Sequence, residues 1–113
     1  MKTKYNKAYR AVYNLTAHIV FVTKYRKLIL TDELLTELES VFASILQTRD
    51  GELLEFNGEK DHVHLLVSYK PSISVSNLVA NLKATSSKTM WRNHDDYLKT
   101  KYWNKKVLWT GSY

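Results

Sequence analysis

Cysteine is absent from this 113-residue sequence, and proline and glycine are scarce, with one and three residues respectively. Without cysteine the chain has no disulfide framework, no thiolate metal site and no cysteine nucleophile. No apolar run reaches the ~20 residues that a membrane-spanning helix requires, and no signal-type apolar block follows the first residues. These absences exclude disulfide-rich and membrane-spanning classes, so we expect a cytoplasmic protein with no membrane partner.

The charge is unevenly distributed along an otherwise ordinary globular composition of 44% hydrophobic and 25% charged residues. Residues 1–31 carry seven basic and no acidic side chains, residues 32–61 carry nine acidic and two basic ones, and residues 62–113 carry eight basic and two acidic ones, for a net charge of +6. A basic domain with 12% aromatic residues favours a polyanionic partner such as nucleic acid. A merely soluble basic surface would show the same charge, so charge alone does not decide.

Hydrophobic periodicity predicts the first two elements. Apolar residues alternate with others over residues 13–22, which predicts a strand whose odd positions, from Tyr13 to Phe21, face the core. Thr31 is a suitable N-cap for a following helix. The apolar stripe of that helix repeats at helical spacing and ends at Asp50 and Gly51.

A hairpin is predicted next. A short apolar run at residues 53–56 ends at Asn57 and Gly58, a dipeptide suited to a tight turn, and residues 63–69 form the returning strand.

The last third of the chain predicts a helix, a loop and a strand. Ser72 or Ser74 caps the helix, residues 93–106 look like an exposed basic loop, and residues 107–109 begin a final strand. The predicted order is therefore βαββαβ in a single α+β domain, residues 1–113. This is the ferredoxin-like pattern of one antiparallel sheet with two helices on one face and the other face open.

His62 and His64 carry the most specific chemistry. Side chains two residues apart on a strand emerge on the same face, and the apolar set beginning at Val63 belongs against the helices. The two imidazoles therefore lie on the open face, where they can hold one cation and leave positions vacant for a phosphate oxygen. The alternative is a pair of half-buried histidines hydrogen-bonded to neighbours. In either case we expect Asp61 to be a turn residue rather than a ligand. His18, on the same face of the first strand, is expected to support the pair or pack beside it rather than bind the ion.

Four segments resemble the small TnpA-like HUH single-tyrosine transposases of bacterial and archaeal insertion sequences. They are residues 13–27, which contain HIVFVTKYR, FNGEKDHVHLLV at 56–67, residues 78–87, which contain NLKATSS, and LWTGSY at 108–113. Their order is that of the family, and together they extend over nearly all of the chain.

The resemblance implies DNA transposition. Such enzymes cut and rejoin single-stranded DNA at transposon ends that contain hairpins, and a tyrosine attacks the scissile phosphate to form a 5′-phosphotyrosine and a free 3′-OH. It also implies a homodimer, and a Mg²⁺ or Mn²⁺ ion held by the positions matching His62 and His64.

One departure from the family concerns the nucleophile. In the family, the nucleophilic tyrosine lies on a helix after the closing strand, whereas this sequence ends at Tyr113, within the segment that resembles that strand. None of the eight tyrosines matches the family position. We therefore expect the 113 residues to lack the C-terminal nucleophile helix and to be inactive in cleavage alone, and the shortened closing strand puts dimerisation in doubt.

Basic and aromatic residues are candidates for DNA contact. Backbone phosphates are expected at Lys24, Arg26, Lys27, Lys83, Lys88, Arg92, Lys105 and Lys106. Unpaired bases are expected to stack on Trp91, Tyr102 or Trp103, although Trp91 at a helix end also suits the core.

Two alternatives stay open at this point. One is a non-catalytic module that binds single-stranded nucleic acid on the open sheet face, although that face lacks the aromatic pair typical of RNA-recognition domains. The other is an inactive transposase remnant.

Overall fold

The computed structural model describes residues 14–103 and 105–111. The elements in chain order are β1 (Leu15–Val22), a 3₁₀ turn (Lys24–Arg26), α1 (Asp32–Thr48), β2 (Glu52–Gly58), β3 (His62–Tyr69), α2 (Val75–Asn93) and α3 (Asp95–Tyr102). This architecture confirms the predicted α+β, ferredoxin-like class. Within the part of the chain that is described, no helix has the length and apolarity needed to cross a membrane.

The three strands form an antiparallel sheet in the order β1-β3-β2. β1 pairs with β3 along its whole length, from Leu15 opposite Tyr69 to Val22 opposite His62. β2 pairs with the other edge of β3, with a register shift between Leu53 and Glu55. β3 is therefore the central strand and carries the histidine pair through the middle of the sheet.

Both long helices begin at the caps that the sequence offers. The Thr31 hydroxyl accepts a hydrogen bond from the Leu34 N–H at 3.2 Å, and the Ser74 hydroxyl accepts one from the Asn77 N–H at 3.3 Å. Each bond satisfies a donor that the first helical turn would leave unpaired. Of the two predicted caps for α2, the structure selects Ser74.

The core fills the space between these helices and one face of the sheet. Phe42 of α1 lies between Phe21 of β1, at a ring distance of 5.7 Å, and Phe56 of β2, at 6.1 Å. Ile19 and Phe21 are buried as predicted for the odd positions of β1, whereas Leu15 is 50% exposed. Tyr13, predicted to continue this set, lies outside the described residues.

The predicted hairpin turn is wrong by a few residues. Asn57 and Gly58 pair with His64 and Val63 and so belong to β2, and the hairpin closes where the Glu59 N–H donates to the His62 carbonyl at 2.8 Å. A Cβ at Gly58 would meet the side chain of Leu35, which would have to move. The Asn-Gly pair thus lies where α1 and β2 approach each other closely, rather than in a turn.

The predicted loop over residues 93–106 is also wrong, because it contains α3. This helix has few apolar residues, yet Leu98 and Tyr102 are buried. The Tyr97 hydroxyl donates to the Ile29 carbonyl at 2.7 Å, and the Tyr102 hydroxyl donates to the Lys24 carbonyl at 3.0 Å. Contacts with distant segments therefore fix a helix whose own hydrophobic pattern is weak.

The predicted last strand is reduced, among the described residues, to one antiparallel bridge between Trp109 and Thr23. Backbone bonds on either side of the bridge hold this segment along the free edge of β1. Side chains take two further carbonyls of this segment, since the Trp91 indole N–H donates to Val107 at 2.9 Å and the Lys83 ammonium donates to Thr110. The segment therefore occupies the fourth-strand position without forming a ladder.

Candidate active site and nucleic-acid interface

His62 and His64 lie on the open face of β3, as predicted. Their cross-strand partners on β1 are Val22 and Val20, and Val63 between them is fully buried on the other face. The pleat of the strand thus separates the imidazoles from the core and turns both towards solvent. We call this surface, with the neighbouring His18, the histidine face.

The His62 ring is oriented by its neighbour in sequence. Asp61 Oδ1 lies 2.8 Å from His62 Nδ1, and Arg26 Nε lies 3.7 Å from the other carboxylate oxygen. The hydrogen bond from His62 is the largest of the effects that lower the pKa of Asp61, and it outweighs the opposing effect of desolvation. In the neutral imidazole, with Nδ1–H donating to this carboxylate, Nε2 keeps its lone pair for a cation. Sequence reasoning placed Asp61 in the turn but missed this orienting contact.

His18 contacts His64 without extending the ligand set. The two rings meet edge to face, with 6.1 Å between centroids. Within residues 14–103 and 105–111, no three His, Asp or Glu side chains form a group that could hold a metal ion. His62 and His64 are the side chains of the histidine face that could hold a divalent cation, and two ligands would leave further positions open to water or a phosphate oxygen.

Three of the predicted DNA-contacting residues meet in one groove on α2. Lys88 and Arg92, one helical turn apart, line it together with Lys106, and Trp91 forms part of its wall. The groove has a volume of about 610 Å³. Three cations around one groove are suited to a polyanionic strand.

The other predicted cations lie in three settings. Lys24 and Arg26 belong to the 3₁₀ turn, where Arg26 approaches Asp61 of the histidine face. Lys27 and Lys105 line a second cavity, described below. Lys83 is only partly exposed, and burial, with a smaller contribution from the charge of Lys24, lowers its pKa. Because its ammonium donates to the Thr110 carbonyl, Lys83 holds the last segment against β1 in addition to any contact with DNA.

The three predicted stacking residues separate into core and surface. Trp91 and Tyr102 are buried, so the structure does not support stacking of a base on either. Burial raises the pKa of Tyr102 to about 12. Trp103 is 80% exposed and available to a base. Sequence reasoning also missed Tyr25, which is 64% exposed beside Tyr102.

Comparison with known proteins assigns the family. Residues 11–113 match the model of the IS200-like transposases. The chain belongs to the IS200-like transposase family. The resemblance found in the sequence is thereby confirmed, and membership implies a DNA-processing enzyme of transposition.

Individual members of the IS200-like transposase family agree with this assignment. The chain is 32% identical to the ISDra2 transposase TnpA of Deinococcus radiodurans over 90% of its length and 71% of that protein. It is also 32% identical to the IS200 transposase of Salmonella typhimurium over 89% of its length and 66% of that protein. A crystal structure described as a transposase from Deinococcus radiodurans R1 superposes with a TM-score of 0.79 at 31% identity, covering 88% of this chain and 75% of that one.

Proposed function

We propose that this protein binds single-stranded DNA at the ends of an insertion sequence and activates a phosphodiester for cleavage and rejoining on the histidine face. The observation that carries the proposal is the placement of His62 and His64 side by side on the open face of a transposase-family sheet. Mg²⁺ or Mn²⁺, when bound there, would neutralise charge on a non-bridging phosphate oxygen.

The residues of this chain have separate parts in that chemistry. His62 and His64 would hold the ion through ring nitrogens, and the Asp61 carboxylate would keep the His62 ring in the orientation and tautomer that metal binding requires. Arg26, at 3.7 Å from Asp61, would bring positive charge to the DNA backbone at the edge of the same face. The groove of Lys88, Arg92 and Lys106 would hold the strand further along by its phosphates.

The nucleophile is a separate part of the proposal. Family chemistry requires a tyrosine hydroxyl to attack phosphorus as the 3′-oxygen leaves, which gives a 5′-phosphotyrosine. Among the described tyrosines, Tyr69 and Tyr102 are buried, Tyr97 donates to a backbone carbonyl and Tyr25 is exposed on the 3₁₀ turn. Because none of the eight tyrosines matches the nucleophile position of the family, we propose that residues 1–113 bind DNA without cleaving it, and a denaturing gel of a labelled oligonucleotide should show no covalent adduct. An adduct would overturn this part alone.

Manganese titration followed by NMR tests the metal site. The paramagnetic ion should broaden the ring signals of His62 and His64 together, and His18 beside His64 should follow at higher concentration. His94, whose Nε2 lies 2.6 Å from Glu37, is the internal control and should stay sharp. If His62 and His64 respond no more than His94, the metal proposal is wrong.

A salt titration tests the contact with DNA. Log affinity for a single strand should fall with log salt by roughly 0.7 per phosphate contact, and Lys88→Gln should reduce the slope by about that amount. Lys70→Gln is the matched control, since Lys70 pairs with Asp50 at 2.9 Å and lies outside the groove. A slope unchanged by Lys88→Gln would remove the groove from the proposal.

A non-catalytic module that binds single strands is the second candidate, and the basic groove on α2 would serve it equally well. Metal binding at the histidine pair separates the two, because such a module needs none. Homodimerisation, the hairpins at the DNA ends and the cytoplasmic location stay predictions, and sedimentation of the protein with and without hairpin DNA would test the first two.

A further inference from the structure

A second cavity lies between the 3₁₀ turn and the end of α3, and it shares no lining residue with the groove on α2. Its volume is about 450 Å³, within the range of small-ligand sites. Three aromatic and three basic side chains line it: Tyr25, Lys27, Lys101, Tyr102, Trp103 and Lys105. We call it the aromatic–lysine pocket.

Trp103 is placed at this pocket by an unfavourable backbone conformation. It follows the last residue of α3 with φ 56°, and its N–H donates to the Lys99 carbonyl at 2.9 Å. A non-glycine residue in this region costs free energy, and an indole 80% exposed recovers little of it by burial. The other two tryptophans, Trp91 and Trp109, are 4% and 7% exposed. The exposed indole thus contributes little to folding, and its position suits binding.

Tyr25 shows the same combination on the other side of the pocket. It has φ 63° within the 3₁₀ turn and is 64% exposed. Its ring centroid lies 6.5 Å from that of Tyr102, whose hydroxyl donates to the Lys24 carbonyl at 3.0 Å. Tyr102 therefore ties the turn to α3, so the backbone segments that carry the two exposed rings are joined before any ligand arrives.

The charge around these rings is positive, and no described acidic side chain pairs with it. The Lys27 ammonium lies 5.9 Å from the Tyr102 ring centroid, and the Lys101 ammonium lies 5.6 Å from that of Tyr97. Throughout the described part of the chain, no carboxylate oxygen comes within 4.0 Å of the ammonium of Lys27, Lys101 or Lys105. Flat apolar faces ringed by unpaired cations suit a ligand that carries both an aromatic ring and phosphates.

We propose that the aromatic–lysine pocket binds one unpaired base of single-stranded DNA, stacked on the Trp103 indole, with the flanking phosphates on Lys27, Lys101 and Lys105. This inference rests on the proposed function, since it takes single-stranded DNA as the ligand. It adds a subsite whose affinity for the strand depends on the presence of a base. Phosphate contacts alone hold a strand without responding to its bases, whereas stacking requires a base at that position.

The test compares two oligonucleotides of equal length and charge, a short oligodeoxythymidylate and its abasic counterpart. Binding is measured with EDTA present, so that the histidine pair holds no metal. Because Trp103 is the exposed tryptophan of the three, its fluorescence should be quenched by the thymidylate and hardly by the abasic strand. Trp103→Ala should weaken thymidylate binding about tenfold and leave abasic binding within about twofold. Trp103→Phe should retain most of the affinity.

Two control variants separate stacking from charge and from general surface effects. Leu28→Ala removes another side chain that is 70% exposed and does not line the pocket, so it should change neither affinity. Lys105→Gln should weaken both oligonucleotides by the same factor, because a phosphate contact does not depend on the base.

The outcomes distinguish this pocket from the wider proposal. Equal binding of the two oligonucleotides, or an equal loss of both in Trp103→Ala, would overturn the base-stacking pocket and leave DNA binding intact. Absence of binding to either oligonucleotide would overturn DNA binding itself. Quenching by thymidylate that Trp103→Ala abolishes would support the pocket even if manganese left His62 and His64 unperturbed.

Discussion

On one face of β3, Val63, Leu65 and Val67 are fully buried against the helices, while on the other face His62 keeps a third of its side chain exposed and His64 reaches the solvent. The same eight residues build both surfaces, because the pleat sends neighbours to opposite sides. Substitutions on the covered face should therefore change the free energy of unfolding, whereas those on the histidine face should change binding.

Leu65→Ala should have the largest effect. Leu65 is fully buried, so the lost methyl groups and the cavity should reduce the free energy of unfolding by about 2–5 kcal/mol. Leu66→Ala, the next residue and only partly buried, is the matched control and should cost under about 1 kcal/mol. Urea denaturation measures the free energy of unfolding of both variants. Equal losses would show that the two faces of β3 do not differ in their contribution to stability.

Gly51→Ala should come next. A Cβ at this buried glycine would stand 2.6 Å from the backbone carbonyl oxygen of Ser68, at the place where the chain passes from α1 to β2. Since that oxygen belongs to the sheet backbone, the sheet must shift, at a cost of roughly 1–3 kcal/mol. Gly111→Ala, where a Cβ meets nothing within 4 Å, should be neutral in the same thermal or urea melts. A neutral Gly51→Ala would show that the backbone around Gly51 and Ser68 shifts at little cost in free energy.

The contact of Glu37 with His94 and Asn93 should make the stability of the helical layer depend on pH. Hydrogen bonds from His94, at 2.6 Å, and Asn93, at 2.7 Å, lower the pKa of Glu37 despite the opposing effect of burial. The stability from this carboxylate is therefore present above its unfolded pKa of 4.5 and is lost as the pH falls through the lower folded value. Melting at about pH 6 and about pH 3 should show a smaller acid loss in Glu37→Gln than in the parent. An identical acid loss in both proteins would contradict this reading.

His64→Ala should have the smallest effect on stability. Because the side chain is exposed on the open face, the free energy of unfolding should stay within about 0.5 kcal/mol. The manganese response of His62 should nevertheless weaken, since one of two proposed ligands is gone. A loss of unfolding free energy comparable to that of Leu65→Ala would show that the histidine face also contributes to the stability of the fold.

Much of this architecture could be predicted because local periodicity and burial agree. The alternation in β1, the stripe and cap of α1 and the faces of the histidine strand follow from the pleat and the helical repeat. In α3, local periodicity and burial disagree. Its apolar surface is confined to a few residues such as Leu98 and Tyr102, and the residues that they contact lie far away along the chain. The burial of Ser68 could not be predicted from the pattern either. This polar side chain lies on the open face, yet it is 4% exposed and accepts a hydrogen bond from Asn14 at 3.3 Å.

The candidate site was predictable to a similar degree. The spacing of His62 and His64 sufficed to place them on one face, and Trp103 was identified as a surface aromatic. The orienting contact of Asp61, the exposure of Tyr25 and the burial of Trp91 depend on tertiary packing and backbone dihedrals that no short sequence pattern specifies.

The 3₁₀ turn beside the histidine face is held by segments that are remote in sequence. The Thr23 N–H donates to the Asp61 carbonyl and the Lys24 N–H donates to Leu108, while Tyr102 donates to the Lys24 carbonyl. These bonds join the turn to the hairpin, to α3 and to the last segment, so opening the turn must break contacts with three parts of the chain. The amide protons of Thr23 and Lys24 should accordingly exchange with deuterium more slowly than those of an exposed loop.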